Sequence, residues 1–323
     1  MTAQAIPATP PVAPGYPEAM AAFADQVGAD PAAEITIETM RAGAGPSFAY
    51  FSSLIAPRDD VTVTGYVIEG AASQAMDVRW YRPDSAPAQG LSGAVVYVHG
   101  GGMVSGDLDG YHRIVARYAG ESGTPVLAVD YRLAPEHPAP AGALDVLAAV
   151  GWLEAQATEL RVDPARIALM GDSGGGGVAV SAALIARDTG GPRLARLVLA
   201  YPMLDDRTTT PDPTLAPVAT WSYEQNAVAW AAVTGGVEPD DTGHVAPARA
   251  RDLSGLPPVH LDTGDCDIFR DEVLDFAHAL LLAGVPADVR LYRGVPHAFE
   301  VIAPHLRLSR RALEDRYAAL RKV

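Results

Sequence analysis

Cys266 and Lys322 are the only cysteine and the only lysine in this chain of 323 residues. A lone cysteine closes no internal disulfide, so the fold does not depend on an oxidising compartment. Placed beside Asp267, Cys266 reads as a handle for oxidation or alkylation rather than as a nucleophile. The shortage of lysine leaves 24 basic against 39 acidic side chains and a formal net charge of −15. That balance argues against nucleic acid or an acidic membrane surface as partner and leaves neutral or cationic substrates favoured. Long hydrophobic runs are missing too: no uncharged apolar stretch reaches the ~18 residues of a membrane span, and no basic-then-apolar segment opens the sequence. A soluble cytoplasmic protein is the expectation. Internal repeats and metal-ligand spacings are absent. His112, His137, His244, His260, His278 and His305 stand singly and read as ordinary loop or helix residues, so neither a metal nor a cofactor is expected.

What the chain does have is glycine in telling places. Gly171-Asp172-Ser173-Gly174-Gly175 follows the apolar run 166–170 and opens onto a small-residue helical stretch. A G-x-S-x-G elbow turns a strand sharply into a helix with its Ser in a strained conformation, so its flanks must lack a bulky Cβ. A second glycine cluster, His99-Gly100-Gly101-Gly102, ends the apolar run 93–98. Three consecutive glycines expose backbone N–H groups that suit a developing oxyanion, the alternative being a flexible turn or an anion nest. The elbow motif alone is weak evidence. Two motifs of one mechanism in the right order point to acyl-transfer chemistry, with Ser173 as nucleophile and His99 in a structural role.

A Ser hydroxyl needs a general base, and the base needs a carboxylate to fix its tautomer. Downstream, the strand-like segments 258–262 and 288–292 each give way to a loop, where open α/β sheets place their sites. The first loop carries Asp265, Asp267 and Asp271, and the second carries His297 in Gly294-Val295-Pro296-His297-Ala298-Phe299. Each of these acids is a candidate partner for His297.

These residues resemble the bacterial hormone-sensitive lipase family of α/β-hydrolases. Ser105–Asp109, Asp130–Pro138 and Val162–Ile167 are similar to stretches recurrent there, and the likeness covers roughly residues 60 to 320. By resemblance, the nucleophile falls on Ser173, the base on His297 and the acid on Asp267. Asp267 precedes an apolar pair and a second acidic residue, with Ile268 where the family usually has Pro. The resemblance further implies oxyanion donors at Gly101, Gly102 and Gly174, and a carboxylesterase acting on small esters of short to medium acyl chain. Tolerance of bulky alcohols is implied as well, because a Gly-rich loop leaves space beside the carbonyl. Amidase, lactonase or acyltransferase activity on the same triad is the alternative. A non-catalytic receptor, as in the plant gibberellin receptors of this fold family, is remote because those lack the His that this chain retains.

Apolar segments alternate with helical patterns, as in 125–131 then 141–157 and 166–170 then 173–187. That alternation predicts an α/β-hydrolase fold, a mostly parallel sheet with helices on both faces, led by an antiparallel pair at 61–68 and 75–82. Residues 61–204 and 246–323 would form the core. Residues 1–60 and 205–245 fall outside the alternation and resemble the two segments of the family's helical cap, with Met1 to Pro17 expected to be mobile. Trp221, Tyr223 and Trp230 are candidate substrate contacts, or else the cap's own packing. The run Gly174–Gly177 implies either close packing beneath the elbow or room for a large substrate. Members of the family often pair through sheet edges or surface helices, which makes a homodimer an expectation of the resemblance.

Overall fold

The computed structural model describes residues 9–28, 32–87 and 90–323. Eight strands form one sheet: β1 (Val61–Glu69), β2 (Ala75–Pro83), β3 (Ser92–Val98), β4 (Val126–Val129), β5 (Val162–Asp172), β6 (Leu197–Ala200), β7 (Val259–Gly264) and β8 (Ala287–Tyr292). Their spatial order is β1-β2-β4-β3-β5-β6-β7-β8. As the alternation predicts, β1 and β2 pair antiparallel, from Val61 opposite Pro83 to Glu69 opposite Ala75, and β2 pairs antiparallel with β4. Every pair from β4 to β8 is parallel.

Strands covered on both faces carry continuous apolar runs rather than alternating ones. Along β3, Val95 and Tyr97 face one layer while Val96 and Val98 face the other. The helices are α1 (Tyr16–Val27), α2 (Ile37–Ser53), α3 (His112–Ser122), α4 (Ala141–Ala155), α5 (Ala157–Leu160), α6 (Gly174–Thr189), α7 (Tyr223–Thr234), α8 (Arg270–Leu282), α9 (Phe299–Ile302) and α10 (Arg307–Leu320). Val146, Leu184 and Val273 bring α4, α6 and α8 onto the face of Val96. Ile114, Tyr118 and Leu313 bring α3 and α10 onto the face of Tyr97. No helix among the described residues is long and apolar enough to cross a membrane.

The N-terminal segment differs from expectation. Residues 1–8 lie outside the described residues, but the rest of the stretch read as mobile is tied down. Ala13 N–H donates to the Gly294 carbonyl at 2.7 Å, and buried Tyr16 meets Ser309 Oγ at 2.9 Å. Beyond it, α2 is pinned to the sheet domain by Arg41, which donates to the carbonyls of Val104 and Ala134 and pairs with Glu136. Phe23 of α1 stacks on Phe51 of α2 at 5.1 Å, and Phe48 of α2 lies against Tyr111 at 4.9 Å.

Close packing, not room for substrate, accounts for the glycine run. A Cβ on Gly174 would lie 2.6 Å from Met103 N, one on Gly175 2.1 Å from the Val98 carbonyl, and one on Gly177 2.2 Å from the Met203 carbonyl. The start of α6 is pressed against backbone that cannot yield as a side chain can. Gly175→Ala is therefore expected to cost about 1–3 kcal/mol, the range for overpacking, read as a lowered urea midpoint. A midpoint equal to wild type would show that the elbow has slack.

Candidate active site

Ser173 joins β5 to α6 at φ 53° and ψ −123°. A non-glycine residue is held there only when its surroundings over-determine it. Here Ser173 N–H donates to the Ala200 carbonyl at 2.9 Å, while the Ser173 carbonyl accepts from Gly176 N–H at 3.0 Å and Met203 N–H at 2.9 Å. The tight turn also needs Gly171, whose Cβ would lie 2.3 Å from the Gly175 carbonyl. The hydroxyl is thereby presented at the carboxyl end of the sheet.

Loops after β7 and β8 bring the other two groups to it. His297 Nε2 lies 2.9 Å from Ser173 Oγ, and its Nδ1 lies 2.8 Å from Asp267 Oδ2. Phe269 N–H donates to Asp267 Oδ1 at 3.0 Å, and Asp267 is fully buried. The rings of Tyr201 and Phe269 stand edge-on to the imidazole at 4.6 and 5.1 Å. The other two acids face elsewhere: Asp265 accepts from Gly294 N–H, and Asp271 pairs with Arg270 at the surface. An aliphatic residue is accommodated at Ile268, which is buried in the core. A hydroxyl, an imidazole and a buried carboxylate in one hydrogen-bonded line can pass a proton from oxygen to nitrogen while the carboxylate stabilises the imidazolium.

Beside the hydroxyl, the turn after β3 takes positive φ at Gly101 (108°), Gly102 (64°) and Met103 (62°). Val104 and Ser105 N–H close that turn on the Gly101 carbonyl, and neither bond uses the N–H of Gly101 or Gly102. Gly174 N–H opens α6, where a helix has no carbonyl one turn back to receive it. These three N–H groups suit an oxyanion. His99 supports the turn from below: Nδ1 donates to the Gly100 carbonyl at 2.8 Å, and the ring stacks on Tyr131 at 4.5 Å. Burial pushes its pKa down to about 4, so it is neutral at pH 7.

Several neighbours escaped sequence reasoning. Asp172 accepts from Tyr97 OH at 2.6 Å and from Tyr111 OH at 3.0 Å. Burial pushes its carboxyl up to about 6 although both hydroxyls pull the other way. Tyr201, at the end of β6, is a second case. No spacing rule links Tyr97, Tyr111 and Tyr201, which belong to separate parts of the chain, so only the fold unites them. Cys266 corrects the reading of a reactive handle, since burial and the adjacent Asp265 push its thiol up to about 12. A thiol so rarely ionised is inert.

A cavity of about 520 Å³ opens above Ser173, His297 and Gly101, walled by Phe23, Met40, Phe48 and Trp221 among others. Both α1 and α2 contribute to its wall, as does the segment 220–225. Of the three aromatic residues expected to touch substrate, only Trp221 lines it. Tyr223 and Trp230, both on α7, are 7% and 2% exposed and packed into the core, whereas Trp221 precedes the helix. Among the described residues, no group of three or more His, Cys, Asp or Glu side chains is placed to hold a metal ion.

Known proteins resemble this chain in sequence and in fold. The family model for the alpha/beta hydrolase fold matches residues 95–301. Esterase LipI of Mycobacterium tuberculosis is 32% identical over 274 residues, spanning 82% of this chain and 83% of LipI. Carboxylesterase NlhH of the same species is 40% identical over 202 residues, spanning 60% of this chain and 62% of NlhH. Among solved structures, esterase LipW from Mycobacterium marinum superposes with a TM-score of 0.80 at 33% identity, covering 88% of this chain and 89% of LipW. The chain thus belongs to the bacterial hormone-sensitive lipase family of α/β-hydrolases and is a carboxylic ester hydrolase.

Proposed function

We propose that this enzyme hydrolyses esters of short- to medium-chain acids in two acyl-transfer steps carried by Ser173, His297 and Asp267. The continuous line from Ser173 Oγ through His297 to Asp267, opening onto the cavity, is the observation that supports it. Ser173 Oγ attacks the ester carbonyl carbon as His297 Nε2 takes its proton, and Asp267 stabilises the resulting imidazolium. The N–H groups of Gly101, Gly102 and Gly174 receive the oxyanion, and one such donor is typically worth about 2.7–4 kcal/mol. Collapse breaks the bond to the alkoxide, which leaves as alcohol with the proton from His297. Water then attacks the acyl-enzyme through the same base, and Ser173 recovers its proton.

In this reading residues 1–60 and 205–245 act as the cap, setting how much of the acyl and alcohol groups is enclosed. A cavity of about 520 Å³ lies within the range of pockets that enclose small organic ligands. The test is a series of 4-nitrophenyl esters from acetyl to dodecanoyl, run on wild type and Ser173→Ala side by side. Turnover should depend on Ser173 and peak below the longest chains. Amide or lactone turnover exceeding that of every ester would move the assignment to the alternative chemistries.

A further inference from the structure

Trp221 does more than line the cavity. A Cβ placed on Gly102 would lie 2.7 Å from Trp221 Cη2 and 2.9 Å from Cζ2, so the far edge of the indole rests directly on the backbone of a proposed oxyanion glycine. The space that a Gly-rich loop would leave beside the reacting carbonyl is thus occupied by a ring. The resemblance implies tolerance of bulk in this place. The contact implies the opposite.

The indole is fixed rather than resting there by chance. Its Nε1–H donates to Asn226 Oδ1 at 3.2 Å, and Asn226 is fully buried. The Asn226 amide in turn donates to the Thr208 carbonyl at 2.6 Å. Thr208 Oγ1 donates to Glu272, whose other oxygen accepts from Leu204 N–H at 2.7 Å. Glu272 belongs to α8, which follows the Asp267 loop, so the chain of bonds ends on the catalytic domain. One residue before the ring, Thr220 Oγ1 donates to the His297 carbonyl at 2.6 Å. Ser222 and Gln225 close a capping box at the start of α7. Trp221 and Asn226 therefore occupy the two positions that a hydrophobic staple would fill, joined here by a directional bond. A dipeptide held on the histidine loop at one residue and pressed on the oxyanion glycine at the next has little freedom to swing aside.

We propose that Trp221 determines which esters the site accepts, excluding those with a fully substituted carbon next to the ester group, and that Asn226 is the positioning residue that holds the ring in place. This rests on Ser173 acting as the nucleophile. Either the acid or the alcohol can supply the fully substituted carbon, and the two are separated by using 4-nitrophenyl pivalate and tert-butyl acetate against 4-nitrophenyl acetate. Trp221→Ala is expected to raise kcat/KM for one of the two branched esters, relative to the acetate, by about tenfold or more. Asn226→Ala should move that ratio in the same direction by less, and Asn226→Asp, which keeps an acceptor for the indole N–H but loses the amide that donates to the Thr208 carbonyl, should return it only part of the way. A merely structural Asn226 would lower all three rates alike and leave the ratio unmoved, overturning its positioning role. Should Asn226→Ala fail to fold, Trp221→Phe tests the same bond from the other side. It keeps a ring without the N–H, and a full wild-type ratio there would overturn the role of Asn226. Ratios unmoved in Trp221→Ala, with Ser173-dependent turnover of the acetate intact, overturn the whole proposal. Acetate turnover that survives Ser173→Ala would instead count against the nucleophile.

Discussion

Ser173→Ala is expected to lower kcat by about 10⁴-fold or more while the protein stays folded. The hydroxyl bonds only to His297 Nε2 among the described residues, and the backbone bonds that hold its positive φ do not involve it. Removing it therefore takes away the proposed nucleophile and little else, and far-ultraviolet circular dichroism should be unchanged. Asp267→Asn is the sharper companion experiment. Asn can present an N–H to His297 Nδ1, which would leave the imidazole in the wrong tautomer to accept a proton from Ser173. The expected loss is about 10³–10⁴-fold, somewhat below that of Ser173→Ala. Asp271→Asn should stay within a few-fold of wild type, because its carboxylate faces solvent and Arg270. A larger loss at Asp271 than at Asp267 would show that the wrong acid has been named.

How far such a site can be read in advance depends on whether a residue's role is local. Gly171, Gly101 and Gly102 announce themselves because backbone geometry at a turn demands glycine, and that demand is written in adjacent positions. His297 is legible from local sequence too, lying in the loop just past a strand-like segment. The choice among Asp265, Asp267 and Asp271 is not local, since it turns on which carboxylate a separate loop approaches. Resemblance to a family pointed to Asp267, and the fold brings it to 2.8 Å from His297 Nδ1. Helical spacing alone does not say which of Trp221, Tyr223 and Trp230 faces the cavity. That depends on how α7 docks. The cause of the Gly174–Gly177 run was equally hidden, because the atoms that forbid a side chain come from the turn after β3 and from the segment after β6.

Arg316 is the residue most concealed by its surroundings in the sequence, and its loss is expected to be the most damaging to stability. It lies in α10 among Arg310, Arg311, Glu314 and Asp315, a stretch that reads as a solvated helix, yet it is fully buried. Its guanidinium spans Asp262 through two bonds of 2.7 Å, reaches Glu300 at 2.5 Å and Tyr118 OH at 3.1 Å, and lies over the ring of Tyr201 at 5.1 Å. Tyr201 OH donates to the same Glu300 oxygen, and the Tyr201 ring abuts His297. Arg316 thus ties β7, α9 and α10 together behind the imidazole. Arg316→Met would strand two acidic side chains in the interior, which typically costs about 3–5 kcal/mol. Burial raises the Asp262 carboxyl and the guanidinium more than reverses this, holding it below the ordinary range. A depressed carboxylate contributes stability that is present above its unfolded pKa and fades as pH falls through the folded one. In Arg316→Met the upward pull of burial is opposed mainly by the weaker contact with His260, so the variant fares worst at neutral pH and the gap to wild type should narrow toward pH 4. Urea unfolding at pH 7 and pH 4 measures both effects. A deficit under about 1 kcal/mol at pH 7 would mean that water or rearrangement satisfies Asp262 and Glu300 without the arginine, and that His297 does not depend on this buried pair for its footing.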